Sequence, residues 1–291
     1  MTDKKIIYIK EKIERYSNSN KVQYIIKDLK ESLNFDVSNS STNIFLNIGK
    51  VNNIRRINKF HEFANLKLKS NDLYISCAET LEIRRNRVWR AAPYGFRNLI
   101  RIFDFLKKRV IPKLPIFKKI YFAITKGKNR VISKAEILGR LISCGFEIIE
   151  YFEYGGLLYV ISKKVNTPFF KKNVSYGPLF KMDRVGYNMK IIGVYKLRTM
   201  YPFSEFLQDF IIKENKLAKS GKIYNDYRIT NWGKFCRKFW IDELPMFINF
   251  FRNELNIVGV RPLSIGYFKR YPEDLQELRI KVKPGLVPPY Y

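Results

Sequence analysis

SKAEILGRLISCGFEIIEYFEYGGLLYVISKK, residues 133–164, carries three structural signals in a row. Ser133 followed three residues later by Glu136 reads as a capping box, so a helix is expected to about Ser143, with Gly145 placed to end it. FEIIEYF and LLYVIS on either side of Gly155-Gly156 then read as a β-hairpin. Upstream, NIFLNI from Asn43 is strand-like, RRINKFHEFANLKL has helical spacing and DLYISCAET is a second apolar run ending in turn residues. Strand, helix, strand, helix and hairpin predict an α/β domain over residues 1–165. Residues 17–43 are rich in Ser and Asn around KVQYIIKDLKESL, which reads as a short helix. VNTPFFKKNVSYGP, residues 165–178, has linker composition, so a second domain is expected over 166–291.

The 291 residues hold 55 Lys and Arg against 26 Asp and Glu, a formal charge of +29, with 46% hydrophobic and 15% aromatic residues. Such a chain can bury a proper core and is drawn to polyanions: nucleic acid, an acidic membrane surface or phosphorylated substrates. Cys77, Cys144 and Cys236 are far apart and lack CxxC spacing, which argues against a disulfide framework or a zinc site and fits a reducing cytoplasm. His61 is the single histidine, read as a structural residue. The start, MTDKKIIYIKEKIERY, has no apolar core of a signal peptide, and no run of about 18 apolar residues occurs, so contact with a bilayer is expected from one side only.

Residues 97–111, RNLIRIFDFLKKRVI, put Leu99, Ile102, Phe103, Leu106 and Val110 on one helical face, with Pro112 and Pro115 expected to stop the helix. Between Arg97 and Arg130 there are eleven Lys or Arg and one acid, Asp104, interleaved with aromatics. A segment of this kind suits either packing on a domain core or an anionic membrane interface.

Beyond the linker, GPLFKMDRVGYNMKIIGVYKLRTM reads as two strands about a turn at Gly186–Met189, with Lys196 and Arg198 on one face of the second. In WIDELPMFINFF, residues 240–251, Pro245 suits a first helical turn, so a helix is expected from about Asp242–Leu244 to about Asn253. Asp242 and Glu243 would then sit at its tip, where the dipole favours negative charge. Two adjacent carboxylates can hold Mg²⁺ against substrate phosphates, and a carboxylate is a competent nucleophile toward phosphorus. The bland alternative is an N-capping Asp beside a dipole-favoured Glu.

GPLFKMDRVG, YKLRTM, NDYRIT, FCRKFWIDELP, NIVGVRPLS and KVKPG, in this order over residues 176–286, together resemble the bacterial sugar transferase family of monotopic polyprenyl-phosphate phosphoglycosyl transferases. The resemblance implies a small α+β catalytic domain that moves a phosphosugar from a UDP-sugar to undecaprenyl phosphate, releases UMP and starts a surface-polysaccharide repeat unit. It implies Mg²⁺, an aspartyl phosphosugar on Asp242 with Glu243 as companion, and Lys196, Arg198, Arg228, Arg237 and Arg261 as phosphate-binding cations. It places the protein at the cytoplasmic face of the bacterial inner membrane. The family enters its domain through a hydrophobic helix, whereas VISKKVNTPFFKKNVSYGP is polar, so residues 97–130 are expected to supply attachment to the anionic surface. GRLISCGFEII and the hairpin after it resemble the closing elements of class I S-adenosylmethionine methyltransferases, implying a degenerate Rossmann-like first domain without the glycine-rich cofactor turn. Other readings of the same charge are a silent scaffold of a glycan-assembly complex, or a nucleic-acid binder, which leaves the DELP and VRP spacing without purpose.

Overall fold

The computed structural model of the chain describes residues 2–16, 24–27, 44–169, 177–215 and 223–289. The chain divides into two compact units, residues 1–174 with 202–226, and residues 175–201 with 227–291. Elements are numbered in chain order.

The first unit contains α1 (Thr2–Glu14), β1 (Tyr24–Lys27), β2 (Ile44–Lys50), α2 (Ile57–Lys67), β3 (Leu73–Ala78), α3 (Leu81–Ala91), α4 (Arg97–Phe105), α5 (Pro115–Thr125), α6 (Lys134–Ser143), β4 (Phe146–Tyr154), β5 (Leu157–Lys164) and α7 (Gln208–Asn215). Its mixed sheet has the order β1-β2-β3-β5-β4. The first three strands are parallel, and β5 lies antiparallel to both β3 and β4. Tyr24–Lys27 corrects the expected helix: it is a strand, in register from Tyr24 opposite Ile44 to Lys27 opposite Asn47. Adjacent Ile25 and Ile26 favour extended backbone, and pairing with β2 overrides weak helical spacing. Residues 21–23 and 28–33 of that expected helix lie outside the described residues.

All six residues of β3 are buried, as a central strand covered on both faces requires. On one face Ile44, Leu46, Ile75, Cys77 and Tyr159 cluster with Ile9 and Ile13 of α1. On the other, the Tyr74 ring lies 5.6 Å from Phe45 and 4.9 Å from Phe146. Its hydroxyl meets His61 Nδ1 at 3.0 Å. Burial of each such aliphatic side chain contributes about 1.5–3 kcal/mol.

The opening stretch folds as read. Ser133 Oγ accepts the Glu136 N–H at 3.1 Å. Glu136 does not complete the box, because its carboxylate turns inward to Arg109 at 2.7 Å and Arg140 at 2.8 Å. Gly145 has φ +85°, and Gly155 and Gly156 have φ +57° and +72°, the two positive values of a type I′ hairpin turn. The first unit also takes back residues 202–226, beyond the expected border at 165/166. Phe203, Leu207 and Ile211 are buried there. Gly139 lets this segment approach α6, since a Cβ would collide with the Phe203 carbonyl. The Arg140 guanidinium lies 4.3 Å over the Phe203 ring.

The basic aromatic segment differs from the single helix expected over 97–111. After α4 come a wider π turn, Leu106–Val110, and a 3-10 turn, Ile111–Lys113. Pro115 opens α5 rather than stopping a helix, because the first helical position needs no N–H donor. Leu99, Ile102 and Phe103 are 64%, 53% and 67% exposed, so the apolar face of α4 is not spent on the core. No helix among the described residues is long and apolar enough to cross a membrane.

The second unit contains β6 (Leu179–Val185), β7 (Ile191–Leu197), α8 (Asn231–Lys238), α9 (Phe247–Phe251), β8 (Asn256–Val258), α10 (Ile265–Phe268), α11 (Glu273–Ile280) and β9 (Gly285–Val287). The predicted hairpin is present, with β6 antiparallel to β7 from Leu179–Leu197 to Val185–Ile191. β8 and β9 pair in parallel. Ile192, Val194, Met246 and Leu255 form the core that fixes β7 against the segment following α8.

Candidate active site

Lys196 stands opposite Phe180 in the hairpin, and the Arg198 guanidinium lies 5.0 Å over the same ring. Cross-strand partners share a face, so both cations leave β7 on the expected side. Arg198 Nε also donates to the Gly177 carbonyl at 3.1 Å.

The acid pair is held by three devices. Thr230 caps α8 by accepting the Gly233 N–H at 2.8 Å, and Trp240 turns the chain with φ +58°. The fully buried Asn249 then ties the following helix to β7: Nδ2 donates to Gly193 O at 2.9 Å, and Oδ1 accepts the Tyr195 N–H at 3.0 Å. Asp242 and Glu243 lie in the first turn of a 3-10 segment, Ile241–Met246, and α9 begins only at Phe247. The expected α-helical start at 242–244 is corrected accordingly. Pro245 offers no N–H and crowds the preceding turn, so α-type bonding starts after it.

Glu243 Oε1 is 2.5 Å from Lys196 Nζ and 3.6 Å from Arg261 Nη2. Strand, helical turn and the 259–263 loop thus converge on one carboxylate. Asp242 is half-buried, with no hydrogen-bond or ion-pair partner among the described residues. Burial, and then the Asp242 charge, push the nearby buried Cys236 thiol up from its ordinary value. Arg237 Nε donates to Thr199 Oγ1 at 3.0 Å rather than to the acid pair. Arg228 is buried, and its carbonyl accepts the Tyr201 N–H at 2.9 Å.

Sequence reasoning missed two further arginines. Arg279 Nη2 donates to the Arg261 carbonyl at 2.7 Å, holding the loop that presents Arg261. The Arg184 pKa is lowered by burial and then by the charge of Arg261. Neither signal is a motif; both arise where distant loops meet. Val185, Val260, Leu263 and Phe268 line a shallow pocket beside Arg261 and Arg279.

No group of three or more His, Cys, Asp or Glu able to hold a metal occurs among the described residues. Two hard carboxylates still match Mg²⁺, which takes one or two protein carboxylates and keeps its other positions for water and phosphate.

Residues 156–289 match the model of the family described as bacterial sugar transferase. This part of the chain is similar to that family. A galactosyl transferase CpsE of Streptococcus agalactiae is 37% identical over 112 residues, 38% of this chain and 25% of that protein. A UDP-glucose:undecaprenyl-phosphate glucose-1-phosphate transferase of Klebsiella pneumoniae is 36% identical over 192 residues, 63% of this chain and 36% of that protein. An uncharacterized sugar transferase of Haemophilus influenzae is 26% identical over 261 residues, 86% of this chain and 52% of its own length, so its similarity reaches into the first unit. The chain spans from 25% to 52% of the length of these curated relatives. Within the matched residues lie the acid pair, Lys196 and Arg261.

Proposed function

We propose that the chain is a phosphoglycosyl transferase that moves a hexose 1-phosphate from a UDP-sugar to undecaprenyl phosphate, the first step of a surface-polysaccharide repeat unit. The observation that carries this reading is the division of labour in the acid pair: Lys196 and Arg261 hold Glu243, while Asp242 has no ion-pair or hydrogen-bond partner among the described residues. An Asp242 oxygen attacks the phosphorus that bears the sugar, and the bond to UMP breaks, leaving an aspartyl phosphosugar. A phosphate oxygen of undecaprenyl phosphate then attacks the same phosphorus and releases the Asp242 carboxylate. Lys196, Arg198, Arg228, Arg237 and Arg261 supply positive charge for the diphosphate and lipid phosphate, each charge-assisted contact being worth about 1.5–3 kcal/mol. Asp242 and Glu243 would hold Mg²⁺, which neutralises phosphate charge when bound.

Attachment to the cytoplasmic face of the bacterial inner membrane is through residues 97–130, whose open apolar face and cations suit an anionic surface. The first unit serves as a degenerate methyltransferase-like scaffold. Its antiparallel hairpin closing a parallel sheet supports this, as does Asn52 beyond β2. That buried side chain donates to Glu79 O and Arg130 O and accepts from Glu79 N, filling the strand ends with the protein's own groups.

The test is incubation with a panel of UDP-sugars, Mg²⁺ and undecaprenyl phosphate, following UMP. Metal-dependent UMP release that vanishes in Asp242→Asn, with a mass increase on the Asp242 peptide when lipid is withheld, is the expected result. Equal turnover by Asp242→Asn would remove the assigned nucleophile.

A further inference from the structure

Residues 202–226 interrupt the second unit. The chain leaves that unit after Tyr201, folds as part of the first, and returns at Tyr227. Where it leaves and returns, the two stretches are paired. Thr230 N–H donates to Thr199 O at 2.9 Å, Tyr201 N–H donates to Arg228 O at 2.9 Å, and Met200 bridges Ile229 antiparallel. Thr230 Oγ1 adds a bond to Thr199 O at 3.1 Å. Any Cβ on Gly233 would overlap the same carbonyl, so α8 rests directly on this pair. A turn of about two to five residues is enough to close an antiparallel pair, so connection alone does not require the excursion into the first unit.

Arg198, Arg228 and Arg237, three of the cations assigned to phosphate, belong to that pair. Arg198 is joined to Thr199 by one peptide bond, Arg228 is buried within the returning stretch, and Arg237 Nε donates to Thr199 Oγ1 at 3.0 Å. Lys196 and Arg261 are instead engaged with Glu243. The acid pair has its own restraint, through Asn249 to β7. The carboxylates and these three cations therefore stand on separate supports.

The insertion beyond the pair is held by the first unit. Phe203, directly after Pro202, has φ +65°, a left-handed backbone that a bulky side chain adopts only where its surroundings impose it. Here they do. Phe203 is 1% exposed, the Arg140 guanidinium lies 4.3 Å over its ring, and its carbonyl occupies the space that a Cβ on Gly139 would need. Leu207 and Ile211, both fully buried, hold the turns that follow.

We infer that Gly139 and Arg140 of α6, together with Phe203, are positioning residues for phosphate recognition: the first unit holds the insertion, and the insertion sets Arg198, Arg228 and Arg237 at the spacing a nucleoside diphosphate needs. This rests on the transferase reading above and gives the first unit a part in it. Cations displaced in this way lose ground-state and transition-state binding alike, so KM rises while kcat, which depends on the separately held acid pair, stays.

The experiment uses the full-length chain and two variants. Gly139→Ala presses on the Phe203 backbone without deleting a contact, and Phe203→Gly keeps the left-handed turn while removing the ring. Ile75→Val, which thins the core beneath α1, is the control for mild loosening of the same unit. Each is titrated calorimetrically with UDP and assayed for UMP release against UDP-sugar concentration. The expected result is a roughly 10-fold loss of UDP affinity and a matching rise in KM in both variants, the equivalent of one charge-assisted contact, with kcat within about twofold of the parent. Ile75→Val should keep the parent values. A fall in kcat with KM and UDP affinity unchanged overturns the inference, because it reports fewer folded molecules rather than displaced cations. An equal rise in KM in Ile75→Val overturns it too, since any loosening of the first unit then has the same effect. If the parent releases no UMP with any UDP-sugar, the transferase reading falls, while weaker UDP binding confined to Gly139→Ala and Phe203→Gly still supports the positioning role. Absence of UDP binding by the parent overturns that role.

Discussion

Lys196 Nζ lies 2.5 Å from Glu243 Oε1, joining the end of a hairpin strand to the first turn of a 3-10 helix 47 positions along the chain. Both side chains are largely sheltered, at 16% and 22% exposure, whereas Arg261, the other cation on the same oxygen, is 59% exposed. The lysine is therefore the principal restraint on Glu243, and solvent screens the arginine. Lys196→Ala should lower kcat/KM for UMP release about 10- to 100-fold, the loss of one charge-assisted contact. Arg261→Ala should cost less, and Lys196→Arg should recover part of the activity. Equal losses in the two alanine variants would contradict this ranking.

Two glycines should respond to alanine with opposite signs. Gly233→Ala forces α8 away from Thr199, and with it the Thr199–Arg237 hydrogen bond, so destabilisation of about 1–3 kcal/mol is expected. Gly266, in α10, has open space where a Cβ would be, and Gly266→Ala should stabilise by about 0.5–1 kcal/mol. Urea titration of both variants reads the difference directly.

Glu136 bridges Arg109 and Arg140, all three with side chains at most 7% exposed. Glu136→Ala removes the carboxylate that two buried guanidiniums share and should cost about 3–5 kcal/mol. A denaturation midpoint within error of the parent would show that water reaches this site. Since Arg140 also covers the Phe203 ring, the same variant should speed proteolysis within residues 202–226.

Acid should weaken the first unit through His61. Burial, and then the Arg140 charge, lower its pKa from 6.5 to about 3, so it is neutral in the folded chain. A depressed folded pKa means that the stability is fully present above pH 6.5 and is lost as pH falls from there toward 3, by on the order of 4 kcal/mol. Between pH 6.5 and 5 few carboxylates titrate, so His61→Gln should flatten the stability profile in that window. An unchanged slope there would assign the acid lability to other groups.

Much of this architecture was legible because its signals are local. Ser133 and Gly145 bound a helix, Gly155-Gly156 makes a hairpin turn, and the residues about Asp242 form a linear motif. The unreadable parts depend on distant partners. Four residues, Tyr24–Lys27, become strand only because β2 is there to pair with them. Arg279 matters through a backbone carbonyl 18 positions away, which no side-chain pattern encodes. Asn249 looks like any helical polar residue until its amide is found bonded to β7.

The return of residues 202–226 to the first unit means that the polypeptide changes unit three times, near 174, 201 and 226. No single cut separates two complete halves. A fragment ending near residue 165 loses the Phe203, Leu207 and Ile211 plug, and one beginning there carries that plug with nothing to seat it. A single break at any one of these junctions therefore leaves at least one unit unfinished, and separating the second unit intact takes the excision of residues 202–226 as well.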